Sequence, residues 1–363
     1  MSTSAFYLPR VWMGSQISER FLPRSIRPLS AHIKLTENCQ AKCISCDYWK
    51  TRWRDAIDTD RAVDLVNQIA GAGIRSLRLT GGEPLLRKDI FDVLKKASTG
   101  SFKNIILQTN GLLLKKLHRE VNHSPISTVA VSVDGLEQTN DLIRGIKGYF
   151  GLALEGIELL RGKRVALSVT LNKISAMELS RLREVAHRLG AEIETNILSQ
   201  SLFFLKDADL ASLWPGEEET REIVRFARED LKRPSYEVEY IEKYYRRAGL
   251  TEPSCVLGFL QVFVLSNGDV LTGCYPLEPV GNILRESLST VLSSEAYYKQ
   301  ALAMLRRECP GCTCGVESSL AMRHAGSSAI YELRHLVNGR AIGSRHPEPG
   351  PAIARAASNR PAS

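Results

Sequence analysis

The sequence lacks the apolar segments that would place the protein in or across a membrane. Apolar residues make up 44% of its 363 residues, but no run of them reaches the roughly 20 residues that a helix needs to span a bilayer. Residues 1–29 contain no apolar stretch followed by a small-residue cleavage site, because arginines and prolines interrupt them. We therefore expect a cytoplasmic protein without a membrane partner.

The chain also lacks a concentrated patch of positive charge. Its formal charge is +8, from 48 Lys and Arg against 40 Asp and Glu. These cations are scattered along the sequence, whereas a nucleic-acid surface gathers them on one face with interleaved aromatics. We expect no nucleic-acid partner, while anionic small substrates remain compatible with this charge.

Cysteine is scarce over most of the chain and clustered where it occurs. Three of the eight cysteines are Cys39, Cys43 and Cys46. The other five all lie in the C-terminal third, at Cys255, Cys274, Cys309, Cys312 and Cys314. In a cytoplasmic protein such clustering favours metal binding over disulfides.

Short apolar runs alternate with helical stretches through the first two hundred residues. The periodicity predicts strands at 33–36, 76–80, 105–109, 129–133, 165–171 and 192–197, and helices at 60–72, 90–97, 152–161 and 176–189. Repeated βα units imply a parallel sheet with right-handed crossovers, either doubly wound or curled into a partial or full barrel. In each arrangement the chemistry is expected at the carboxyl ends of the strands.

The pattern changes after residue 205. Longer charged helices are predicted at 217–232 and 236–247, followed by a hairpin at 262–272 that turns at Asn267-Gly268-Asp269. From Gly343 onward the sequence has no periodicity, and we expect disorder there. The predicted organisation is an N-terminal extension at 1–29, a core at 30–205, a helical connection at 206–250, a cysteine-rich unit at 251–320, and a C-terminal helix and tail at 321–363.

The first cysteine group has the spacing of an iron-sulfur site. Cys39, Cys43 and Cys46 share one short loop after the first predicted strand, and three thiolates there can ligate three corners of a cubane cluster, leaving the fourth iron open. A zinc knuckle is the alternative. Zinc favours paired CxxC spacings with a fourth Cys or His nearby, and His32 precedes the strand.

These cysteines, together with the TGGEP segment at Thr80 to Pro84, resemble the radical S-adenosylmethionine (SAM) enzymes over residues 30–200. The resemblance implies a partial (β/α)6 TIM-like barrel in which Cys39, Cys43 and Cys46 hold a 4Fe-4S cluster. The open iron would bind the amino and carboxylate groups of SAM. An electron from the cluster would then break a carbon-sulfur bond, and the 5′-deoxyadenosyl radical would abstract hydrogen from substrate. A reductant such as flavodoxin or ferredoxin is the implied partner.

Several residues that follow strands resemble the family's contacts to SAM. In the TGGEP segment the glycines permit close backbone approach, and Glu83 can accept from an ammonium group. Taken singly, each of the others also fits turn chemistry or a surface ion pair. The predicted cofactor-binding residues are Gly81, Gly82, Glu83, Pro84, Thr109, Asn110, Ser132, Asp134, Arg144 and Asn172.

One position departs from the family pattern. Many members have an aromatic residue immediately before the third cysteine, and this chain has Ser45 there. Tyr48 and Trp49 are candidates to replace that packing near the adenine of SAM. The cluster assignment does not depend on this replacement.

The second cysteine group is predicted to hold another metal centre. Cys255 and Cys274 bracket the predicted hairpin, and four ligands converging with Cys309 and Cys312 can fill a cluster or a zinc tetrahedron. The arrangement resembles the truncated SPASM domain called a twitch domain, which implies one auxiliary 4Fe-4S cluster on these four residues. Three roles remain open for Cys314: it replaces Cys312 as a ligand, it is an inert thiol, or it donates a hydrogen atom to a substrate radical.

The expected substrate is a small polar metabolite, such as a sugar, aminocyclitol or nucleoside intermediate of antibiotic or other natural-product biosynthesis. The region at 1–29 is too short for the peptide-binding domain that many peptide-modifying relatives carry before the core. Dehydrogenation, epimerisation and decarboxylation all begin with hydrogen abstraction and stay open. The alternatives are a radical SAM maturase of a ribosomal peptide and a non-catalytic iron-sulfur or zinc protein.

Overall fold

A computed structural model of the protein describes residues 7–46, 48–50, 55–198, 210–247, 254–274 and 277–308. The strands are β1 (Ser30–Lys34), β2 (Ser76–Thr80), β3 (Asn104–Thr109), β4 (Thr128–Ser132), β5 (Arg164–Leu171), β6 (Glu192–Ile197), β7 (Gln261–Val264), β8 (Asp269–Leu271) and β9 (Gly281–Asn282). They form one sheet in the order β6-β5-β4-β3-β2-β1-β7-β8-β9. Neighbours among β1 to β6 pair in parallel, as the repeated βα pattern predicts.

The described residues also form α-helices, most of which lie between the strands in the sequence. They are α1 (Tyr7–Gln16), α2 (Thr59–Gly71), α3 (Ile90–Lys96), α4 (Leu114–His123), α5 (Glu137–Arg144), α6 (Tyr149–Glu158), α7 (Leu179–Arg188), α8 (Leu210–Leu213), α9 (Glu217–Arg225), α10 (Ser235–Arg246), α11 (Leu257–Leu260), α12 (Leu288–Ser293) and α13 (Glu295–Leu305). In the described part of the chain, none is both long and apolar enough to cross a membrane.

The two faces of the parallel strands differ in polarity. Apolar side chains on alternate positions are fully buried, for example Leu77 and Leu79 in β2 and Val129 and Val131 in β4. Side chains two residues apart lie on the same face of a strand, so this alternation gives each strand one apolar and one polar side. The apolar side packs in the main core, and the polar side faces the interior of the curved sheet.

A contact between distant strands shows that the sheet is curved. Arg78 in β2 lies 3.2 Å from Glu194 in β6, although three strands separate them in the sheet order. Four strand spacings along a flat sheet amount to about 19 Å, so these side chains meet only because the sheet curls around them. The sheet is not closed, which confirms the predicted partial barrel.

The predicted hairpin is present, and it continues the barrel sheet. β7 and β8 pair antiparallel around the Asn267-Gly268 turn, and β7 pairs in parallel with β1. The cysteine-rich segment therefore begins as an extension of the core sheet. The predicted domain boundaries themselves stay predictions.

The N-terminal extension contains a helix that the sequence analysis did not predict. In α1, Tyr7 and Val11 are buried, and the Tyr7 hydroxyl donates to the carbonyl of Phe259 at 2.7 Å. Pro9 falls in the first turn of this helix, where a proline removes no helical hydrogen bond. The extension therefore packs against the segment that leads into β7.

Candidate active site

The three cysteines of the first group lie on the loop that follows β1. Cys39, Cys43 and Cys46 are all partly exposed, and none forms a disulfide with another described residue. The loop is attached to the end of α5, since the backbone N–H of Ile44 donates to Ile143 at 2.9 Å and that of Lys42 donates to Arg144 at 3.2 Å. The loop therefore presents its sulfurs at the carboxyl edge of the sheet.

Nitrogen donors approach two of these sulfurs. Nδ2 of Asn110 lies 3.9 Å from Sγ of Cys39, and Nη1 of Arg144 lies 3.9 Å from Sγ of Cys43. Such donors stabilise thiolate and cluster sulfur. Trp49 also contacts the loop, because its indole N–H donates to the carbonyl of Cys43 at 3.2 Å. The side chain of Tyr48, the other candidate for adenine packing, lies outside the described part of the structure.

The ligand arrangement fits a cubane better than a single zinc ion. Among the described residues, no three His, Cys, Asp or Glu side chains converge on one metal position. A cubane binds each cysteine through a different iron, so its ligands stand farther apart than those of tetrahedral zinc. Burial raises the pKa of Cys39 to about 11, so the thiol keeps its proton at neutral pH. Cysteine binds metal as a thiolate, so this proton is released when a metal centre binds.

Two glycines allow the end of strand β2 to pack closely against the cysteine loop. The N–H of Gly82 donates to the carbonyl of Thr36 at 2.7 Å, and that of Glu83 donates to Asn38 at 2.7 Å. A Cβ on Gly81 would stand 2.5 Å from the Thr36 oxygen, and one on Gly82 would stand 2.3 Å from the Asn38 oxygen. Only glycine permits this approach, as the sequence analysis expects.

Glu83 is fully buried at the centre of this edge. It accepts from the Thr109 hydroxyl at 2.7 Å, the Asn110 N–H at 2.7 Å and the Leu85 N–H at 3.0 Å. None of these donors is a cation, and burial raises the pKa of Glu83 to about 7. The site therefore holds a carboxylate that an ammonium group would stabilise, and Thr109 and Asn110 orient it. Pro84 follows directly and begins the 3-10 turn Pro84–Leu86.

Asp134 and Arg144 form a buried ion pair beside the cysteine loop. Nη2 of Arg144 lies 2.7 Å from Oδ2 of Asp134, with side chains 12% and 1% exposed. Oδ1 of Asp134 accepts from the N–H of Thr170 at 2.7 Å. In this structure the arginine pairs with a protein carboxylate, whereas the sequence analysis places it among the expected contacts to SAM.

Buried polar atoms with spare hydrogen-bonding capacity collect in the same region. Three such atoms near the cysteine loop and Asp134 have no hydrogen-bond partner among the described residues: Oε1 of Gln40, Nδ2 of Asn140 and Nε of Arg144. Buried polar groups are normally satisfied, and functional sites are a common exception. The residues around the cysteine loop therefore fit a polar ligand such as SAM.

The two remaining cofactor candidates differ in their surroundings. Ser132 is partly exposed on the polar face of β4, and its hydroxyl accepts from Gln108 at 3.4 Å. Asn172 is buried, and its amide serves the local turn: Nδ2 donates to Thr170 and Ser175, and Oδ1 accepts from Ile174. Ser132 is available to a ligand, while the side chain of Asn172 shapes the loop after β5.

A buried polar network that the sequence analysis missed joins the cysteine loop to the hairpin. Lys34 and Glu37 form a buried ion pair, and the Ser266 hydroxyl donates to Glu37 at 2.9 Å. Asp55 accepts from the N–H of Glu37 at 2.9 Å. Burial lowers the pKa of Lys34. The signal in the sequence was a lysine between two apolar residues, Ile33 and Leu35, which are both buried.

Two of the five C-terminal cysteines lie in the described structure. Cys255 and Cys274 are buried together with Leu257 and Met304. The other three, Cys309, Cys312 and Cys314, lie outside the described residues. The burial of the first two in one cluster agrees with a shared metal centre, and the full ligand set stays a prediction.

Two family models match the chain. Residues 33–179 match the radical SAM superfamily. Residues 255–314 match the SPASM iron-sulfur cluster-binding domain, a range that begins at Cys255 and ends at Cys314. Residues 33–179 therefore belong to the radical SAM superfamily. Its members are enzymes, so this chain is a radical SAM enzyme with a SPASM domain, and its cofactors are SAM and iron-sulfur clusters.

Curated relatives of this radical SAM enzyme differ in how much of it they match. The AdoMet-dependent heme synthase of Methanosarcina barkeri is 32% identical over 44% of this chain, and the match covers 47% of that protein. The chain thus spans about half the length of this relative. The sporulation killing factor maturation protein SkfB of Bacillus subtilis is 25% identical over 80% of this chain and 70% of its own length.

A solved structure shares the fold of this radical SAM enzyme. Streptococcus suis SuiB, crystallised with its precursor peptide SuiA, aligns with a TM-score of 0.58 at 18% identity, over 80% of this chain and 72% of SuiB. At this identity the likeness establishes the fold alone.

Proposed function

We propose that this radical SAM enzyme is a maturase that abstracts hydrogen from a residue of a ribosomally made peptide. The observation that carries the proposal is the extent of the SkfB match, which runs over 80% of the chain. SkfB is a maturation protein for a sporulation killing factor. Added support comes from SuiB, which shares the fold and has been solved with a precursor peptide.

The described residues have separable roles in this proposal. When bound, the cluster and SAM supply the radical that abstracts hydrogen. Cys39, Cys43 and Cys46 hold the cluster, and Glu83 accepts from the ammonium group of SAM at a site that excludes water. A flavodoxin or ferredoxin delivers the electron, and the reaction takes place in the cytoplasm.

A small polar metabolite, the substrate expected from the sequence, is the competing substrate class. It is favoured by the heme synthase, which has the higher identity at 32%. That match covers only 44% of the chain, whereas the SkfB match covers nearly twice as much. We therefore propose a peptide substrate, and one experiment distinguishes it from a small polar metabolite.

The experiment follows deuterium from substrate into 5′-deoxyadenosine. Cells of the source organism that lack this enzyme are grown in deuterated medium, and their extract is added to the anaerobically reconstituted enzyme with SAM and dithionite. Half of the extract is first digested with proteinase K, which is then inactivated. Mass spectrometry measures both the amount of 5′-deoxyadenosine and its deuterium content.

A peptide substrate predicts deuterium transfer from the intact extract that is lost after digestion. Transfer that survives digestion contradicts the proposal and supports the metabolite. The Cys39, Cys43 and Cys46 triple alanine variant is the control, because it loses the cluster ligands. If the wild type makes no 5′-deoxyadenosine at all, the radical chemistry itself is wrong and the non-catalytic alternative stands.

A further inference from the structure

Two opposite charges face each other across the barrel interior. Nη2 of Arg78 in β2 lies 3.2 Å from Oε1 of Glu194 in β6, and the side chains keep 22% and 32% of their surface exposed. The buried ion pair of Asp134 and Arg144 retains only 1% and 12%. Arg78 and Glu194, called the cross-barrel pair below, therefore border open space inside the barrel.

Polar groups lead from the cross-barrel pair to the edge where SAM is expected. Oε1 of Gln108 accepts from Nη1 of Arg78 at 2.6 Å, and Nε2 of Gln108 donates to the Ser132 hydroxyl at 3.4 Å. On the neighbouring strands, Nδ2 of Asn196 donates to the Ser168 hydroxyl at 3.0 Å. The interior between the pair and the SAM edge is thus lined by amides and hydroxyls.

The depth of the pair places it below the reacting atoms. Arg78 precedes Thr80 at the end of β2, and the glycines and Glu83 follow after that end. A substrate whose hydrogen is presented to SAM at the edge therefore reaches down toward the cross-barrel pair.

The charges of the pair select the kind of group that fits. A substrate carboxylate would be attracted by Arg78 but repelled by Glu194, and an ammonium group would be attracted by Glu194 but repelled by Arg78. Either ligand therefore leaves one charge of the pair repelled and partly desolvated. A primary amide, as on an Asn or Gln side chain, carries an acceptor oxygen and a donor nitrogen on the same carbon and has no net charge. It satisfies both members of the pair without separating their charges.

We propose that the cross-barrel pair is a substrate subsite for a primary amide of the peptide, such as an Asn or Gln side chain, with the amide carbonyl accepting from Arg78 and its N–H donating to Glu194. This inference rests on the proposed function. It assigns the pair a role in specificity, separate from SAM cleavage, which takes place at the edge around Glu83.

The test compares neutral and swapped variants of the pair. Arg78→Gln and Glu194→Gln remove one charge each, and Arg78→Glu combined with Glu194→Arg exchanges them. The Gln108 amide can turn to donate to a glutamate at position 78, so the exchange keeps a structural pair. The matched control exchanges Lys115 and Glu155, an exposed pair 2.7 Å apart on α4 and α6. Each variant is assayed without extract for 5′-deoxyadenosine, and with undigested deuterated extract for deuterium transfer.

We expect all variants to form 5′-deoxyadenosine without extract at a rate within about twofold of the wild type, and the Lys115 and Glu155 exchange to transfer deuterium normally. Arg78→Gln, Glu194→Gln and the exchanged pair should each lose deuterium transfer by about tenfold or more. If the exchanged pair transfers deuterium like the wild type, the pair is structural and the subsite is wrong, while the proposed function stands. If Arg78→Gln unfolds at a lower temperature than the wild type, Glu194→Gln provides the test, because glutamine keeps the shape and volume of glutamate. Normal deuterium transfer by Glu194→Gln also overturns the subsite. Absence of 5′-deoxyadenosine from the wild type overturns both proposals.

Discussion

Glu83 is a carboxyl group that the fold buries among neutral donors. Its pKa is raised from 4.5 to about 7 by burial, so the folded protein without cofactors holds a proton that the unfolded chain releases near pH 4.5. A group with a raised carboxyl pKa contributes stability below its unfolded pKa and loses it as pH rises through the folded pKa. Glu83 therefore destabilises the cofactor-free protein above pH 7.

We predict that the free energy of unfolding of the cofactor-free protein falls between pH 4.5 and 7 by an amount on the order of 3 kcal/mol from this group. In Glu83→Gln this component is absent, because glutamine does not titrate. Urea unfolding at several pH values measures both curves. Parallel curves for the two proteins would mean that Glu83 titrates normally.

The ion pair of Asp134 and Arg144 gives a second prediction for single residues. Arg144→Met leaves the Asp134 carboxylate buried without its cation, so we expect a loss of about 3–5 kcal/mol in unfolding free energy. Lys115→Met breaks an exposed pair and should cost less than about 1 kcal/mol. Urea unfolding of both variants at one pH makes the comparison. Equal small losses would show that Arg144 does not stabilise Asp134.

At the scale of elements, the cluster site depends on how closely the end of β2 approaches the cysteine loop. Gly82→Ala places a Cβ 2.3 Å from the Asn38 oxygen and 2.6 Å from the Glu37 oxygen. Both are backbone atoms, so the loop itself has to shift. We expect this variant to fold but to lose the iron of the first cluster and its production of 5′-deoxyadenosine.

The matched control is Gly151→Ala, where no atom lies within 4 Å of the added Cβ. Gly151 is in α6, and alanine there stabilises a helix by about 0.5–1 kcal/mol. Iron analysis and circular dichroism report cluster and fold separately. If Gly82→Ala retained full iron content, close approach of the two segments would not be needed to hold the cluster.

The strands and helices show which structural features a sequence pattern can predict. The strands β1 to β6 and the hairpin were predicted because apolar alternation and an Asn-Gly turn are local signals. The helix α4 was missed, since only Leu114 and Val121 of its ten residues are buried and most of its residues are polar. The pairing of β7 with β1 was also missed, because the alternation of apolar and polar residues in a strand does not specify which strand lies next to it.

At the scale of the whole molecule, the two cysteine groups predict the metal content. The wild type should hold about eight irons after anaerobic reconstitution, and the Cys39, Cys43 and Cys46 triple alanine variant about four. The Cys255→Ala and Cys274→Ala double variant should also hold about four, since it removes two ligands of the auxiliary cluster. Iron, sulfide and zinc are measured on the same samples.

Zinc in place of the missing iron would contradict this prediction. A wild type with about four irons and one equivalent of zinc, and a double variant that loses only the zinc, would assign the second group to a structural zinc site. The first cluster would then be the sole redox centre.

The sequence by itself determined the chemistry of short segments: three thiolates on one loop, two glycines and a glutamate after a strand, and cysteines on either side of a hairpin. These are readable because the residues that act together are close in the chain. Only the tertiary structure decided that Thr109 and Asn110 orient Glu83, that Ser266 reaches Glu37, and that Arg78 meets Glu194. Those partners lie 26 to 229 residues apart, and their contacts arise from strand order and sheet curvature.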